Sequence, residues 1–414
     1  MLADSRVVLT GIGVVAPNGI GIDPFWESLL AGKSGIGEIS RFDASDYPIH
    51  VAGEIKDFNL QDFLEERVRP NRMARHTELA LAAAKMAIRD AGIGQSELSD
   101  FGPVPIVIGV SNGAVDVIER GKKALLERGP SRVSPFTVSA CQPHAIASAL
   151  SDTLGVETRT LTLSSACAAG LDAIAHAWEM IRRGKADLVL TGGADSATNL
   201  LTVASFCAAG MVPDVNGDEP SRVSRPFDRE RRGGIMAEGA GVLILERMET
   251  ALARGKRPYL EIVGYGDSVD QTESEPASGI KDSMASALVN ASTRPECIDY
   301  ICAHGPSDPI IDRVETEMIK EVMGDLAYKV PVTSIKGATG NPLSAAGPHE
   351  LATCALIMRH GVIPPTTNYE FPDPDCDLDY VAEGPREADV ATAMINLHGL
   401  GGGNSSMIVR EVAI

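Results

Sequence analysis

Thr160-Leu161-Thr162-Leu163-Ser164-Ser165-Ala166-Cys167-Ala168-Ala169-Gly170-Leu171-Asp172-Ala173-Ile174 is the stretch on which the reading of this chain turns. Its first residues are apolar and β-branched, which predicts a short strand. Small residues then interrupt the pattern, and Cys167 stands where they meet a helix predicted to run to about Arg183. A cysteine at a helix N-terminus feels the positive end of the macrodipole, so the thiolate is expected to be favoured. The first backbone N–H groups of a helix lack intrahelical partners and can hold an oxyanion. Cysteine is also among the most commonly buried residue types, so a structural thiol is the plainer alternative. The strand-to-helix elbow is what sets a nucleophile beside it.

Bulk properties narrow the function. With 414 residues the chain can form two domain-sized units. A net charge of −19 argues against nucleic acid as a main partner, and an aromatic content of 4% offers no platform for stacking bases. Seven cysteines, an odd number without C-x-x-C spacing, speak against a disulfide framework and against a zinc site. Reduced thiols fit a cytoplasmic protein. No apolar run approaches the roughly 18 residues a membrane span needs, and the first residues lack the basic-then-apolar pattern of a secretory signal.

Outward from the elbow, strands alternate with helices, which predicts an α/β fold. The opening strand Val7-Val8-Leu9-Thr10-Gly11-Ile12-Gly13 ends in paired glycines, half of a dinucleotide fingerprint. Turn formers follow it where a helix would have to open, so a nucleotide site is not expected. Asp23 is placed to cap a short helix with Pro24 in its first turn. Residues 78–91 form an alanine-rich helix, 104–110 a buried strand and 187–194 another. The charged run 247–257 reads as a linker. Beyond it the pattern repeats: 259–266 echoes the opening strand with its glycines, 282–292 the alanine-rich helix, 300–303 the strand entering Ser111, and 332–359 the Cys167 elbow and helix. Two units follow, 1–250 carrying Cys167 and 251–414 carrying the second half. Duplication brings equivalent loops to one face, where distant residues can meet.

Three loops of the second half supply partners for Cys167. His304 ends a strand in Ala303-His304-Gly305. Lys336 follows a strand within Ser334-Ile335-Lys336-Gly337, a position expected to be buried. Asn396-Leu397-His398-Gly399-Leu400-Gly401-Gly402-Gly403-Asn404 is a glycine-rich turn between strands. No Gly-Lys-Ser/Thr follows it, so it is not a Walker loop, and an oxyanion-hole loop is the better reading. Separately, Arg67, Arg69, Arg72 and Arg75 cluster on an acidic chain, either as a solvated face or as a docking patch for an acidic partner.

With these residues in view, the chain resembles the β-ketoacyl-acyl-carrier-protein synthases of the thiolase superfamily, in particular the elongating type. The resemblance runs from about Val7 to Val409. It rests on Ser165-Ala166-Cys167-Ala168-Ala169-Gly170, Arg225-Pro226-Phe227-Asp228, Met236-Ala237-Glu238-Gly239-Ala240-Gly241, Ala303-His304-Gly305 with Asp312 and Glu315-Thr316, Lys336 through Ala345-Ala346-Gly347, and Gly399-Leu400-Gly401-Gly402. It implies duplicated βαβαβαββ halves in a five-layered α-β-α-β-α arrangement. It further implies that Cys167 accepts an acyl group from a thioester, and that the N–H groups of Cys167 and Leu400 form the oxyanion hole. A malonyl thioester then loses CO2, with His304 donating a hydrogen bond to the enolate oxygen and Lys336 and Glu315 holding His304. Gly399 and His398 belong to the oxyanion-hole and acyl-gate loop. The implied partners are acyl carrier protein and a second copy in a homodimer, or a related chain in a heterodimer. Carrier docking falls to Arg67, Arg69, Arg72, Arg128 and Arg132. No metal, nucleotide or redox cofactor is called for.

The sequence departs from that family pattern around one pocket. Asn341 stands in Thr339-Gly340-Asn341-Pro342 where elongating enzymes have their second histidine. An amide donates a hydrogen bond but carries no proton to and fro. Initiating synthases use Cys, His and Asn, so a triad of Cys167, His304 and Asn341 is expected to condense. Leu400 replaces an aromatic gate, His398 adds an ionisable group, Pro306 and Asp308 replace threonines, Asp172 replaces a histidine and Gly234 an aromatic. These changes lead us to expect a specialised acyl chain. The alternatives are an acyl-Cys transferase that does not decarboxylate and a partner subunit of a ketosynthase pair. A papain-like protease is set aside, since the surroundings of Cys167 lack that signature.

Overall fold

The computed structural model describes residues 5–64, 69–215 and 217–413. The strands along the main path of its large sheet are β1 (Val7–Ala16), β2 (Val104–Gly109), β3 (Thr158–Leu163), β4 (Leu188–Ser196), β5 (Glu238–Arg247), β6 (Leu260–Val269), β7 (Tyr300–Cys302), β8 (Val332–Thr333), β9 (Thr392–Gly399) and β10 (Gly403–Arg410). They form one sheet in the order β8-β7-β9-β10-β6-β1-β5-β4-β2-β3. From either edge to the seam, the order within each half is third, second, fourth, fifth, first strand. Directions repeat as well. The second strand is parallel to the third and fourth, and the fifth is antiparallel to both its neighbours. The halves join where β1 and β6 pair antiparallel, Val7 opposite Ile262 and Leu9 opposite Leu260.

The main helices are α1 (Arg75–Ala91), α2 (Ala145–Leu154), α3 (Ala169–Arg182), α4 (Ile280–Asn290), α5 (Pro309–Met323), the single turn α6 (Lys336–Thr339) and α7 (Ala346–His360). α3 and α7 pack on each other and against strands of both halves, while α1 and α2 cover one outer face and α4 and α5 the other. That makes the five layers. α7 is buried from Ala346 to Ile357, as a helix in a middle layer must be.

The glycine pairs of the two opening strands have a packing role. A Cβ on Gly11 or Gly13 would lie 2.3 Å from the Ala87 carbonyl oxygen or 1.8 Å from that of Ala83. One on Gly264 or Gly266 would lie 2.6 Å from the Ala287 oxygen or 2.3 Å from that of Ser283. Both halves therefore lay an alanine-rich helix directly on strand backbone, which only glycine permits at that separation.

Three local expectations are corrected. The first helix begins at Ile22 after Gly21, with Asp23 inside its first turn and making no side-chain cap. The run 247–257 contains the short helix Met248–Ala253, whose Met248 and Ala251 are buried in the core, so it is packed structure. Arg75 is not part of an exposed basic cluster. Its guanidinium is buried and forks onto Glu238 with two bonds of 3.1 Å, and it also donates to the Ile55 carbonyl at 3.0 Å.

Glu238 is fully buried, so removing its cation strands a carboxylate out of water. Arg75→Ala is expected to cost about 3–5 kcal/mol, read as a lowered urea midpoint at unchanged slope, whereas truncating the exposed Arg72 leaves the midpoint in place.

Candidate active site

The nucleophile elbow is built as the sequence suggests. β3 ends at Leu163, Ala166 takes a left-handed conformation at φ 53°, and α3 opens at Ala169. The left-handed residue turns the chain sharply and leaves Cys167 facing a cavity. Electrostatically the expectation of a favoured thiolate is corrected. Burial, followed by the nearby Asp195 carboxylate, pushes the Cys167 thiol up to about 11. Lys336, the Leu400 N–H and the Asn341 side chain act the other way and do not overcome burial.

His304 follows β7 and is held by its backbone. Glu315, from α5, accepts the His304 and Gly305 N–H groups at 2.8 Å each. Lys336 Nζ donates to the His304 carbonyl at 2.6 Å and to Glu350 Oε1 at 2.5 Å. All these side chains are buried. Desolvation first, then Lys336 and His398, hold the His304 imidazole well below its ordinary range, so it is neutral. Its Nδ1 is buried without a partner. Burial likewise raises the Glu315 and Glu350 carboxyls, Glu350 to about 8.

Asn341 is pinned through its main chain, its N–H donating to the Ile235 carbonyl at 2.7 Å and its carbonyl accepting from Ala237 at 3.0 Å. Its Oδ1 accepts the Leu343 N–H at 3.2 Å, which turns the amide NH2 toward the Cys167 sulfur. From the other side comes the β9–β10 hairpin. A Cβ on Gly399 would lie 3.0 Å from the Ser165 oxygen, 3.1 Å from Ala166 Cβ and 3.3 Å from the Cys167 nitrogen. That close approach brings the Leu400 N–H to Sγ, with the Leu400 side chain itself exposed. His398 is buried, its ring 5.9 Å from that of His304 in an edge-on arrangement.

Cys167, His304, Asn341, His398 and Leu400 line one cavity of about 710 Å³. Lys336 and Glu315 stand behind its wall. Gly234, Met236, Phe206 and Met211 continue it as a mostly apolar chamber, and Asp270, Gln271, Ser274 and Asp308 lie at its other side. Of the basic residues, Arg72, Arg128 and Arg132 converge on a second, smaller cleft together with Arg120, and Arg72 stacks over Phe136 at 4.3 Å. Arg69 is exposed beside them, and Arg67 lies outside the described residues.

Three supporting residues were not found by reading the sequence. Glu350 is the side-chain partner of Lys336, and the signal for it was a lone carboxyl group just before the largely apolar run Leu351–Met358. Asp195 accepts the N–H groups of Ser111, Asn112 and Gly113 at 2.9, 2.8 and 3.1 Å and that of Ser344 at 3.1 Å, tying the two halves together beneath the cavity. Asn404 bridges His398 to Asp270, a contact between strands that spacing alone does not reveal.

Comparison with known proteins places these residues in a lineage. The profile of the β-ketoacyl synthase N-terminal domain matches residues 4–251 and that of the C-terminal domain matches 259–370. A 3-oxoacyl-[acyl-carrier-protein] synthase 2 from Synechocystis is 38% identical over 414 residues, 99% of each chain. Among solved structures, one described as the ishigamide ketosynthase/chain length factor superposes with a TM-score of 0.91 at 33% identity, covering 99% of this chain and 100% of that one. Another, a type II polyketide synthase acyl-carrier protein in complex with its hexaketide-bound ketosynthase, gives 0.87 at 30% identity over 99% and 100%.

The contact of Gly399 with the elbow is testable without any substrate. Gly399→Ala presses the hairpin off the elbow and moves the Leu400 N–H away from the thiolate that alkylation requires. A hydrogen bond to a charged group is worth about 1.5–3 kcal/mol, so alkylation of Cys167 by iodoacetamide at fixed pH should slow roughly tenfold or more while thermal unfolding changes little.

Proposed function

The chain belongs to the β-ketoacyl synthase family, and on that premise we propose that it is a decarboxylating 3-oxoacyl-acyl-carrier-protein synthase working through Cys167, His304 and Asn341. The observation that carries this reading is the convergence of these side chains and the Leu400 N–H on one cavity. In the loading step Cys167 sulfur attacks a thioester carbonyl, and the N–H groups of Cys167 and Leu400 take the oxyanion. The incoming C–S bond breaks and the acyl group rests on Cys167. A malonyl thioester then enters and its C–CO2 bond breaks. The electron pair passes to an enolate whose oxygen receives hydrogen bonds from neutral His304 and from the Asn341 amide, released from sulfur by acylation. The enolate carbon attacks the acyl-Cys carbonyl and the Cys167 thiolate leaves. Neither His304 nor Asn341 has to ionise to stabilise the enolate, which suits a buried site where charge is costly.

The apolar chamber opened by Gly234 and closed by Leu400, where the elongating pattern has aromatics, supports a specialised acyl chain over bulk fatty-acid synthesis. Carrier protein docks, in this reading, at the cleft of Arg72, Arg128 and Arg132, with Arg69 at its rim and Arg67 as an untested neighbour. The edge strand β3, with Arg159, Thr160 and Leu161 exposed and one side unpaired, is where we place a dimer contact. A second copy is the simplest occupant. The match to a ketosynthase/chain length factor keeps a related chain as the alternative. No helix among the described residues is long and apolar enough to cross a membrane, and the unpaired cysteines suit a cytoplasmic setting.

Mass spectrometry of the protein with acyl-carrier and then malonyl-carrier substrate should show acylation at Cys167 followed by a β-ketoacyl product. Cys167→Ala should abolish both. Acylation without CO2 loss, with condensation restored by Asn341→His, would favour a transferase instead. Reversing Arg128 and Arg132 to Glu should raise KM for the carrier-bound substrate about tenfold or more at unchanged kcat, and leave a pantetheine thioester unaffected. An equal change for both substrates would remove the docking assignment.

A further inference from the structure

The proton of the Cys167 thiol needs an acceptor during loading, and the residues assigned so far do not provide one. Asn341 has no basic nitrogen. His304 is a poor acceptor, since burial beside Lys336 disfavours its charged form, and its Nδ1 is buried with no partner among the described residues to steady an imidazolium. His398 is the remaining imidazole on the cavity wall.

The hydrogen bonds behind His398 fix its state. Asp270 can only accept, so Asn404 turns its NH2 toward it, donating to Asp270 Oδ1 at 2.8 Å and to the Gly402 carbonyl at 3.0 Å. Both amide hydrogens are then used, and Asn404 Oδ1 is left as an acceptor. It lies 2.9 Å from His398 Nδ1, so Nδ1 carries the hydrogen. In the neutral ring Nε2 is therefore the basic nitrogen. Asp270 Oδ2, 3.9 Å from Nδ1, stands where it stabilises a charged ring. His398 is also two residues from Leu400, whose N–H opposes the rise of the Cys167 thiol, and the intervening Gly399 lies against the elbow.

We propose that His398 is the general base of the loading step, an inference that rests on the synthase reading. Nε2 takes the Cys167 thiol proton as sulfur bonds the acyl carbon. When the oxyanion collapses and the incoming C–S bond breaks, Nε2 gives that proton to the departing thiolate. The ring ends neutral, as it began, and no other reactant is needed. Asn404 and Asp270 are positioning residues for this role. The titratable groups around His398 are Asp270 behind it and His304 edge-on, with Cys167 lining the same cavity and Lys336 and Glu315 beyond His304.

The test separates the two half-reactions. His398→Asn retains a donor toward Asn404 and removes Nε2; His398→Phe keeps a ring and removes both nitrogens. Loading from acetyl and octanoyl thioesters of acyl carrier protein, followed by mass at Cys167, should slow by about 10²–10³ in both variants, within the range of general-base catalysis. Variant protein acylated by prolonged incubation should lose several-fold less in condensation with malonyl-carrier protein than in loading, since the second step does not use the base. Unchanged loading, or equal losses in loading and condensation, would each overturn the proposal, the second by reducing His398 to a prop for the hairpin. Failure of the unsubstituted chain to load at all would instead overturn the synthase reading.

Discussion

A lysine ammonium held out of water is the constraint on which the site depends. Lys336 is 1% exposed, and an unpaired charge there would cost several kcal/mol. Its proton donors go to Glu350 and to the His304 carbonyl, so the cost of burying it is offset only when α7, the turn at α6 and the loop after β7 sit together. The same charge acts through space on both reacting groups. It opposes the rise of the Cys167 thiol and helps keep His304 neutral. One buried cation thus ties the loops together and adds to the protonation pattern that burial sets.

Glu315 and Asp195 extend the same logic to backbone. Each carboxylate gathers N–H groups of a loop that has no ladder partner: His304 and Gly305 for Glu315, and Ser111 to Gly113 for Asp195. A buried loop must satisfy its donors somewhere, and a carboxylate that accepts several N–H bonds does so while holding the loop rigid. Rigidity matters because an oxyanion donor displaced by a fraction of an ångström loses much of its worth.

Much of this was legible in sequence where local chemistry decides the outcome. The elbow around Cys167, the strand-end position of His304, the buried placement of Lys336 and the repeat of the two halves all follow from residue type and periodicity. The readings that needed correction depended on what lies across space. That Gly11 and Gly13 are no phosphate loop was already legible in the turn formers after them, but their packing role shows only where Ala83 and Ala87 rest on them. Arg75 looks like surface charge until Glu238, distant in sequence, is found facing it. Cys167 at a helix entrance suggests a thiolate, but the desolvation that opposes it comes from surrounding elements that no local window contains. Asp23 fails as a cap because the chain enters the helix one turn position earlier, through Gly21.

The duplicated topology explains how a reactive group can stand in a different loop without disturbing the fold. Equivalent strands deliver Cys167 and the Lys336–Asn341 turn, both following the third strand of their half, and Ser111 and His304, both following the second. The ends of the fourth strands deliver Asp195 and His398. In the first half that end is occupied by a carboxylate that braces backbone and the Ser344 hydroxyl. In the second it carries an imidazole whose tautomer is set by Asn404 and which faces His304. The architecture therefore offers several strand ends around one cavity, each with its own supporting hydrogen bonds. With an amide at 341, proton transfer can be served from the fourth-strand end, while the third-strand turn keeps the donor that an enolate requires.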